Sequence, residues 1–166
     1  MKKIVCIALA AILCLSVLSA CQSGQAQEPV DLSAFAQTLL EAHEWGPFLQ
    51  ESDPENETDK MFLDQGLPGL LDLDLEQRVL YMCNITMNNG EFYLVQAKNA
   101  EDAAKVEEIF QARVDYMVEG GAFYPGPTEL WTNSSQVVAH GDYVMMVCHE
   151  ECDAIVSQFD ALFDQA

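Results

Sequence analysis

The residue types best suited to chemistry lie together in the run Cys148-His149-Glu150-Glu151-Cys152. Thiolate, imidazole and carboxylate groups can bind a metal ion, and a thiolate beside a histidine can act as a nucleophile. A structural zinc site, however, normally combines a Cys-x-x-Cys pair with a second ligand pair, and this run contains neither. Cys152 also falls on the apolar face of a predicted helix that continues through Ile155, Val156 and Phe159. We therefore expect a buried structural thiol. The alternative is a thiol- or metal-dependent enzyme, or a metal-binding protein, that uses Cys148, His149 and Cys152.

Other signatures of catalysis or cofactor binding are missing from the sequence. No serine occupies a Gly-x-Ser-x-Gly turn, and no glycine-rich phosphate loop follows a predicted strand. The acidic run from Asp72 to Glu76 has neither the glycine nor the final ligand of an EF-hand loop. We accordingly predict no catalytic residue, no bound metal and no cofactor, and thus a protein that is not an enzyme.

The first twenty residues predict the destination of the chain rather than its fold. Lys2 and Lys3 precede an apolar run, Ile4 to Val17, which ends in Leu18-Ser19-Ala20-Cys21. This ending resembles the lipobox of bacterial lipoproteins, which implies that the Cys21 thiol takes a diacylglycerol, with acyl chains such as palmitate, and that cleavage falls before Cys21. The apolar run is shorter than the roughly 20 residues that a membrane-spanning helix needs. We predict a signal peptide over 1–20, a lipidated cysteine and tether over 21–30, and attachment to the outer face of the cell membrane.

The charge of the remaining chain restricts its partners. Without Lys2 and Lys3, five basic residues stand against 27 acidic ones, which leaves a net charge of −22. Nucleic acid is excluded as a partner because binding it requires Lys and Arg to neutralise phosphates. An anionic lipid surface also repels such a domain, so membrane lipid is held through the acylated Cys21. A protein or peptide at the cell surface is the expected further partner.

Two similar segments, each a hairpin followed by a helix, predict the core of the fold. The first hairpin runs from Val79 to Ala97 around the turn Asn88-Asn89-Gly90, and its helix begins at the N-cap Asn99. The second runs from Gln136 to Cys148 around His140-Gly141, and its helix spans Glu150 to Asp164. A further helix is predicted from Asp31 to His43. These elements predict a single α+β domain over 31–166, with a four-stranded antiparallel sheet whose hairpins are each followed by a helix on one face, plus the N-terminal helix.

The strands of the predicted sheet are apolar on both faces, which an antiparallel sheet with one solvated face would not be. We therefore predict that Met82, Val144 and Met146 border either the N-terminal helix or an open groove. The segment from Gly120 to Asn133 is expected to form a loop beside that groove, with Tyr124 exposed. Phe123 and Trp131 either join it as recognition residues or fold back and cover the end of the core. These six residues are the candidate binding surface of a non-enzymatic binding or accessory module. A small-ligand receptor with a pocket between sheet and first helix is a further alternative.

Several local patterns together resemble one known family. They are Tyr81-Met82 with Asn84-Ile85, the helix start Asn-Ala-Glu-Asp at residues 99–102, Tyr124-Pro125, and Val137-Val138 with Gly141 to Val144. With the lipobox and tether, the chain from Asp31 to Phe163 resembles the domain of unknown function 4358 family, lipoproteins of low-GC Gram-positive gut bacteria. The resemblance implies a lipid-anchored protein. It carries no functional residues, because the family has no established activity.

Overall fold

The structure, a computed structural model, describes residues 29–83 and 90–164. The predicted signal peptide, Cys21 and most of the tether therefore lie outside the described residues. The same is true of the predicted strand residues 84–87 and of Asn88 and Asn89 in the first turn.

In these two ranges, five strands form one antiparallel sheet in the order β1-β2-β3-β5-β4. The strands are β1 (Leu49–Glu51), β2 (Leu75–Cys83), β3 (Glu91–Ala97), β4 (Ser135–His140) and β5 (Tyr143–Cys148). The α-helices are α1 (Leu32–Ala42), α2 (Glu57–Gly66), α3 (Ala100–Tyr116), α4 (Pro125–Asn133) and α5 (Cys152–Asp160). The α+β class and the antiparallel pairing of β2 with β3 and of β4 with β5 are confirmed. The predicted number of four strands is wrong, because β1 adds a fifth strand beside β2.

The two predicted helix starts are confirmed by their side-chain caps. The Asp31 carboxylate accepts a hydrogen bond from the backbone N–H of Ala34 at 3.0 Å. The Asn99 side chain accepts two, from the N–H groups of Glu101 and Asp102. Each cap satisfies amides that have no partner within the helix, so α1 and α3 begin where the sequence places them.

The helices cover both faces of the sheet rather than one. On the first face, α2, α3 and α4 pack against the apolar side chains of Leu80, Tyr93, Val95 and Met146. On the second, α1 and α5 pack against Val79, Phe92, Leu94 and Val147. The prediction that the helices after both hairpins share one face is therefore wrong. The alternation of apolar residues shows that both faces are buried, but it does not show which helix covers which face.

The predicted surroundings of Met82, Val144 and Met146 are also wrong. All three side chains are buried on the first face, in the core that includes α3, and neither α1 nor an open groove lies beside them. The N-terminal helix instead covers the opposite face, where Phe35 and Leu39 belong to the core that α5 completes. These three residues hold the sheet and α3 together and are not part of an exposed surface.

The segment predicted as a loop from Gly120 to Asn133 contains helix α4. A π-helical turn, Met117–Gly121, ends α3, and Gly120 within it has φ of 141°, which favours glycine. Pro125 then begins α4, where a proline suits the first turn because its missing N–H would have no helical partner anyway. The buried side chain of Trp131 anchors this helix to the first-face core.

Candidate functional site

The two cysteines of the chemically suggestive run belong to different cores. Cys148 lies in the core between the sheet and α3, whereas Cys152 lies in the core beneath α1 and α5. Burial, and then the charge of Glu91, raise the pKa of the Cys148 thiol. Burial, and then Asp153, raise the pKa of Cys152 to about 11. Both groups are therefore thiols at neutral pH, and a thiol is a poor nucleophile and a poor metal ligand.

His149, by contrast, is held in one orientation by backbone groups on both sides. Its Nδ1 accepts a hydrogen bond from the Glu151 N–H at 3.0 Å, so the ring proton is on Nε2. That Nε2–H donates to the backbone carbonyl of Glu44 at 3.1 Å. The ring also packs on Trp45, with ring centroids 4.4 Å apart. These contacts join the chain after α1 to the chain after β5.

His43 lies beside His149, although 105 residues separate them in the sequence. Its Nδ1 is 2.8 Å from the Glu151 carboxylate, and its Nε2 is 3.0 Å from the side-chain amide of Gln158. The His43 side chain is only 5% exposed, whereas that of Glu151 is 59% exposed. The hydrogen bond from His43 lowers the pKa of the Glu151 carboxyl. Sequence reasoning missed this contact, because nothing in the spacing shows that the end of α1 meets the start of α5.

One coordinating atom from each of His43, His149 and Glu151 lies within 4.8 Å of the other two. We call these three residues the histidine–glutamate cluster. A cavity of about 760 Å³ opens beside it and is lined in part by Glu151 and His149. The remaining lining residues are Glu44, Trp45, Gly46, Gly126, Leu130 and Glu150. Three glutamates thus line one cavity next to two imidazoles, and their negative charge attracts cations.

The predicted aromatic residues divide into exposed and buried ones. Phe123 is 73% exposed and Tyr124 is 49% exposed, whereas Trp131 is fully buried. Tyr116, near the C-terminal end of α3, is 60% exposed and was not predicted. We use the name aromatic surface for the three exposed side chains of Tyr116, Phe123 and Tyr124. They lie on the segment that leads to Gly126, and Gly126 lines the cavity beside the histidine–glutamate cluster.

A second polar group is buried on the first face of the sheet. The guanidinium of Arg113 on α3 donates two hydrogen bonds to the carboxylate of Glu91 on β3, at 2.8 and 3.1 Å. The hydroxyl of Tyr93 donates to the same carboxylate, and the guanidinium also lies over the Trp131 ring at 5.7 Å. Burial alone would lower the pKa of Arg113, but the Glu91 charge outweighs it and raises that pKa. Burial, and then the same charge, raise the pKa of Tyr93. This cluster is enclosed, so its role is structural.

The pocket expected between the sheet and the first helix is present as a cavity of about 370 Å³, lined by residues of α1 and by Glu51, Val79 and Tyr81 of the sheet. Elsewhere α1 packs directly on β2 and β3. An apolar groove of about 690 Å³ lies between α1 and α5. Its main apolar residues are Val30, Ala34, Phe35, Ala161 and Leu162.

These features define an α+β protein with one antiparallel sheet between helices on both faces and a polar cavity at one end. The chain belongs to the family described as Domain of unknown function (DUF4358), whose sequence profile matches residues 51–149. No curated protein and no solved structure matches this chain. Over residues 29–83 and 90–164, no helix is both long enough and apolar enough to cross a membrane.

Proposed function

We propose that the protein is a lipid-anchored lipoprotein on the outer face of the cell membrane, where it acts as a non-enzymatic binding or accessory module. The observation that carries the anchor is the run Leu18-Ser19-Ala20-Cys21 at the end of an apolar segment. An acidic domain gains nothing from an anionic lipid surface, so its attachment rests on acyl chains. Two or three such chains on one residue hold a protein far more firmly than one.

Replacing Cys21 with alanine is expected to abolish acylation, because the thiol is the group to which the lipid is attached. Intact mass spectrometry of the membrane-extracted full chain measures this directly. The matched control is Cys14→Ala, which removes a thiol within the same apolar run and should leave the acyl mass unchanged. A wild-type chain that begins at Cys21 and carries no added acyl mass would show that the anchor is misassigned.

The non-enzymatic role is supported by the burial and the protonation of the candidate nucleophiles. Cys148 and Cys152 are buried thiols with raised pKa values. The alternative in which they act together with His149 lacks support, because they belong to cores on opposite faces of the sheet.

The binding role is supported by the aromatic surface. Tyrosine and phenylalanine side chains supply contact area at low cost in conformational entropy, and binding sites often use them in this way. Pro125 follows Tyr124 directly, Pro127 lies two residues further on, and both restrict the backbone next to Tyr124. The expected partner is a protein or peptide with an apolar contact site and few acidic groups, since the chain itself is strongly acidic.

A photo-crosslinking side chain in place of Tyr124 is expected to capture a discrete cell-envelope protein from intact cells. The same side chain in place of Met61, which is 47% exposed on α2, is the matched control. The gel position and mass of the adduct measure the outcome. Equal adducts from both positions, or none from Tyr124, would count against the aromatic surface as the binding site.

A further inference from the structure

We propose that the histidine–glutamate cluster, His43, His149 and Glu151, binds one divalent transition-metal ion, zinc being the ion whose preferred ligands it matches. Two imidazoles and one carboxylate form the protein ligand set of many open zinc sites, in which a fourth position is left for water or another ligand. The proposal goes beyond the binding role given above and does not depend on the anchor or on the aromatic surface.

The first observation behind this proposal is the proximity of the coordinating atoms. One atom from each of the three residues lies within 4.8 Å of the others, although the residues come from the end of α1 and the start of α5. His43 and Glu151 are already in contact at 2.8 Å. Small side-chain movements bring three atoms at such separations around one ion, and Glu151 is exposed enough to make them.

The second observation is that each imidazole has a hydrogen-bond partner at Nε2, the ring nitrogen that would not bind the ion. In metal sites, a ligating histidine usually donates its other ring N–H to a carbonyl or carboxylate, which fixes the ring and makes the free nitrogen more basic. His149 does this here, because its Nε2–H donates to the Glu44 carbonyl and leaves Nδ1 without a proton. His43 has Gln158 at Nε2, and an amide can present its oxygen there once the ring proton moves to Nε2. Both Nδ1 atoms then become ligands on the side of Glu151.

Binding changes three hydrogen bonds, those of His43 with Glu151 and with Gln158 and that of His149 with the Glu151 N–H, and it leaves no buried charge without a partner. His43 shifts its proton from Nδ1 to Nε2, so a neutral ring stays neutral and Gln158 accepts in place of donating. His149 gives up the hydrogen bond that its Nδ1 accepts from the backbone N–H of Glu151. The ion's charge is balanced by the Glu151 carboxylate and by Glu44 and Glu150, which line the adjoining cavity. That cavity supplies the open position for water or for a ligand's donor atom.

Zinc titration of the full chain, extracted in detergent and stripped of metal, tests the site. Competition with a chromophoric chelator measures affinity and stoichiometry, and one ion per chain is expected. His43→Gln and Glu151→Gln should each weaken binding by at least about 10-fold, the lower end of what the loss of even a supporting group costs. Gln158→Leu should weaken it less, because that residue only orients His43.

The chain offers a matched control in its third described histidine. His140 pairs with Asp160 at 2.8 Å and is not part of the cluster, so His140→Gln should leave zinc affinity unchanged. Circular dichroism establishes that each variant is folded before titration. Cobalt in place of zinc gives an independent readout, since a site without cysteine shows no thiolate charge-transfer band. Unchanged affinity in His43→Gln or Glu151→Gln, an equal loss in His140→Gln, or a thiolate band would each overturn the proposal.

Discussion

Replacing Arg113 with alanine is expected to lower the free energy of unfolding by about 3–5 kcal/mol, as removal of one partner from a buried ion pair typically does. The change would leave the Glu91 carboxylate fully buried without its charged partner, while the Tyr93 hydroxyl still donates to it. It would also remove the guanidinium that covers the Trp131 ring. Urea unfolding followed by circular dichroism measures the effect as a shift in midpoint at an unchanged slope.

The control for this prediction is an exposed ion pair on the same helix. Lys105 contacts Glu101 and Asp102 at the surface of α3, and Lys105→Ala should cost no more than about 1 kcal/mol. If Arg113→Ala cost as little as Lys105→Ala, the buried ion pair would not form as described.

A triple replacement separates the cost of an unpaired charge from the value of the pair itself. Changing Glu91 to Leu, Arg113 to Met and Tyr93 to Phe removes these three polar side chains and keeps similar volumes. Because an apolar replacement of a buried ion pair is often neutral or stabilising, this variant should recover most of the stability that Arg113→Ala loses. Recovery would show that Glu91 and Arg113 select one packing arrangement rather than supply net stability.

Local signals in the sequence were sufficient for the elements that depend on local contacts. Asn99 caps the helix that it was expected to cap, Asp31 caps the helix predicted to begin there, and each predicted strand pair is adjacent in the chain. Hydrogen bonds of these kinds join residues close in sequence, so spacing and residue type reveal them.

Elements that depend on contacts between residues distant in sequence could not be predicted from local patterns. Strand β1 has three residues and exists because Gln50 pairs with Met82. Helix α4 begins in a Pro-Gly-Pro sequence that is typical of a loop, and the burial of Trp131 decides its place in the fold. In both cases tertiary packing outweighs local preference.

The candidate site was only partly visible for the same reason. His149 was named as one of three possible ligands, but its neighbours in sequence are not its neighbours in space. The strand periodicity of β5 directs Cys148 into one core, and the turn after it directs Cys152 into the other. His43 joins His149 only because α1 lies against the same sheet face as α5, and no pattern in either segment specifies that pairing.

The arrangement of helices on both faces of the sheet predicts a second large effect. Phe159→Ala on α5 and Phe110→Ala on α3 should each lower the free energy of unfolding by about 3–5 kcal/mol. Both side chains are fully buried, Phe159 against Phe35 and Phe163, and Phe110 against Tyr93. The two cores are separate, so each substitution removes the transfer free energy of one phenyl ring from its own core and leaves a cavity there. Urea unfolding of the purified full chain measures both variants.

Phe123→Ala is the matched control, because the same ring is removed from a side chain that is 73% exposed. Its effect on the free energy of unfolding should stay within about 0.5 kcal/mol. The comparison tests the layer arrangement directly. If helix α5 did not cover the second face, Phe159→Ala would lower the free energy of unfolding as little as Phe123→Ala. A cost at Phe159 near that of Phe110 requires both faces of the sheet to be closed by helices.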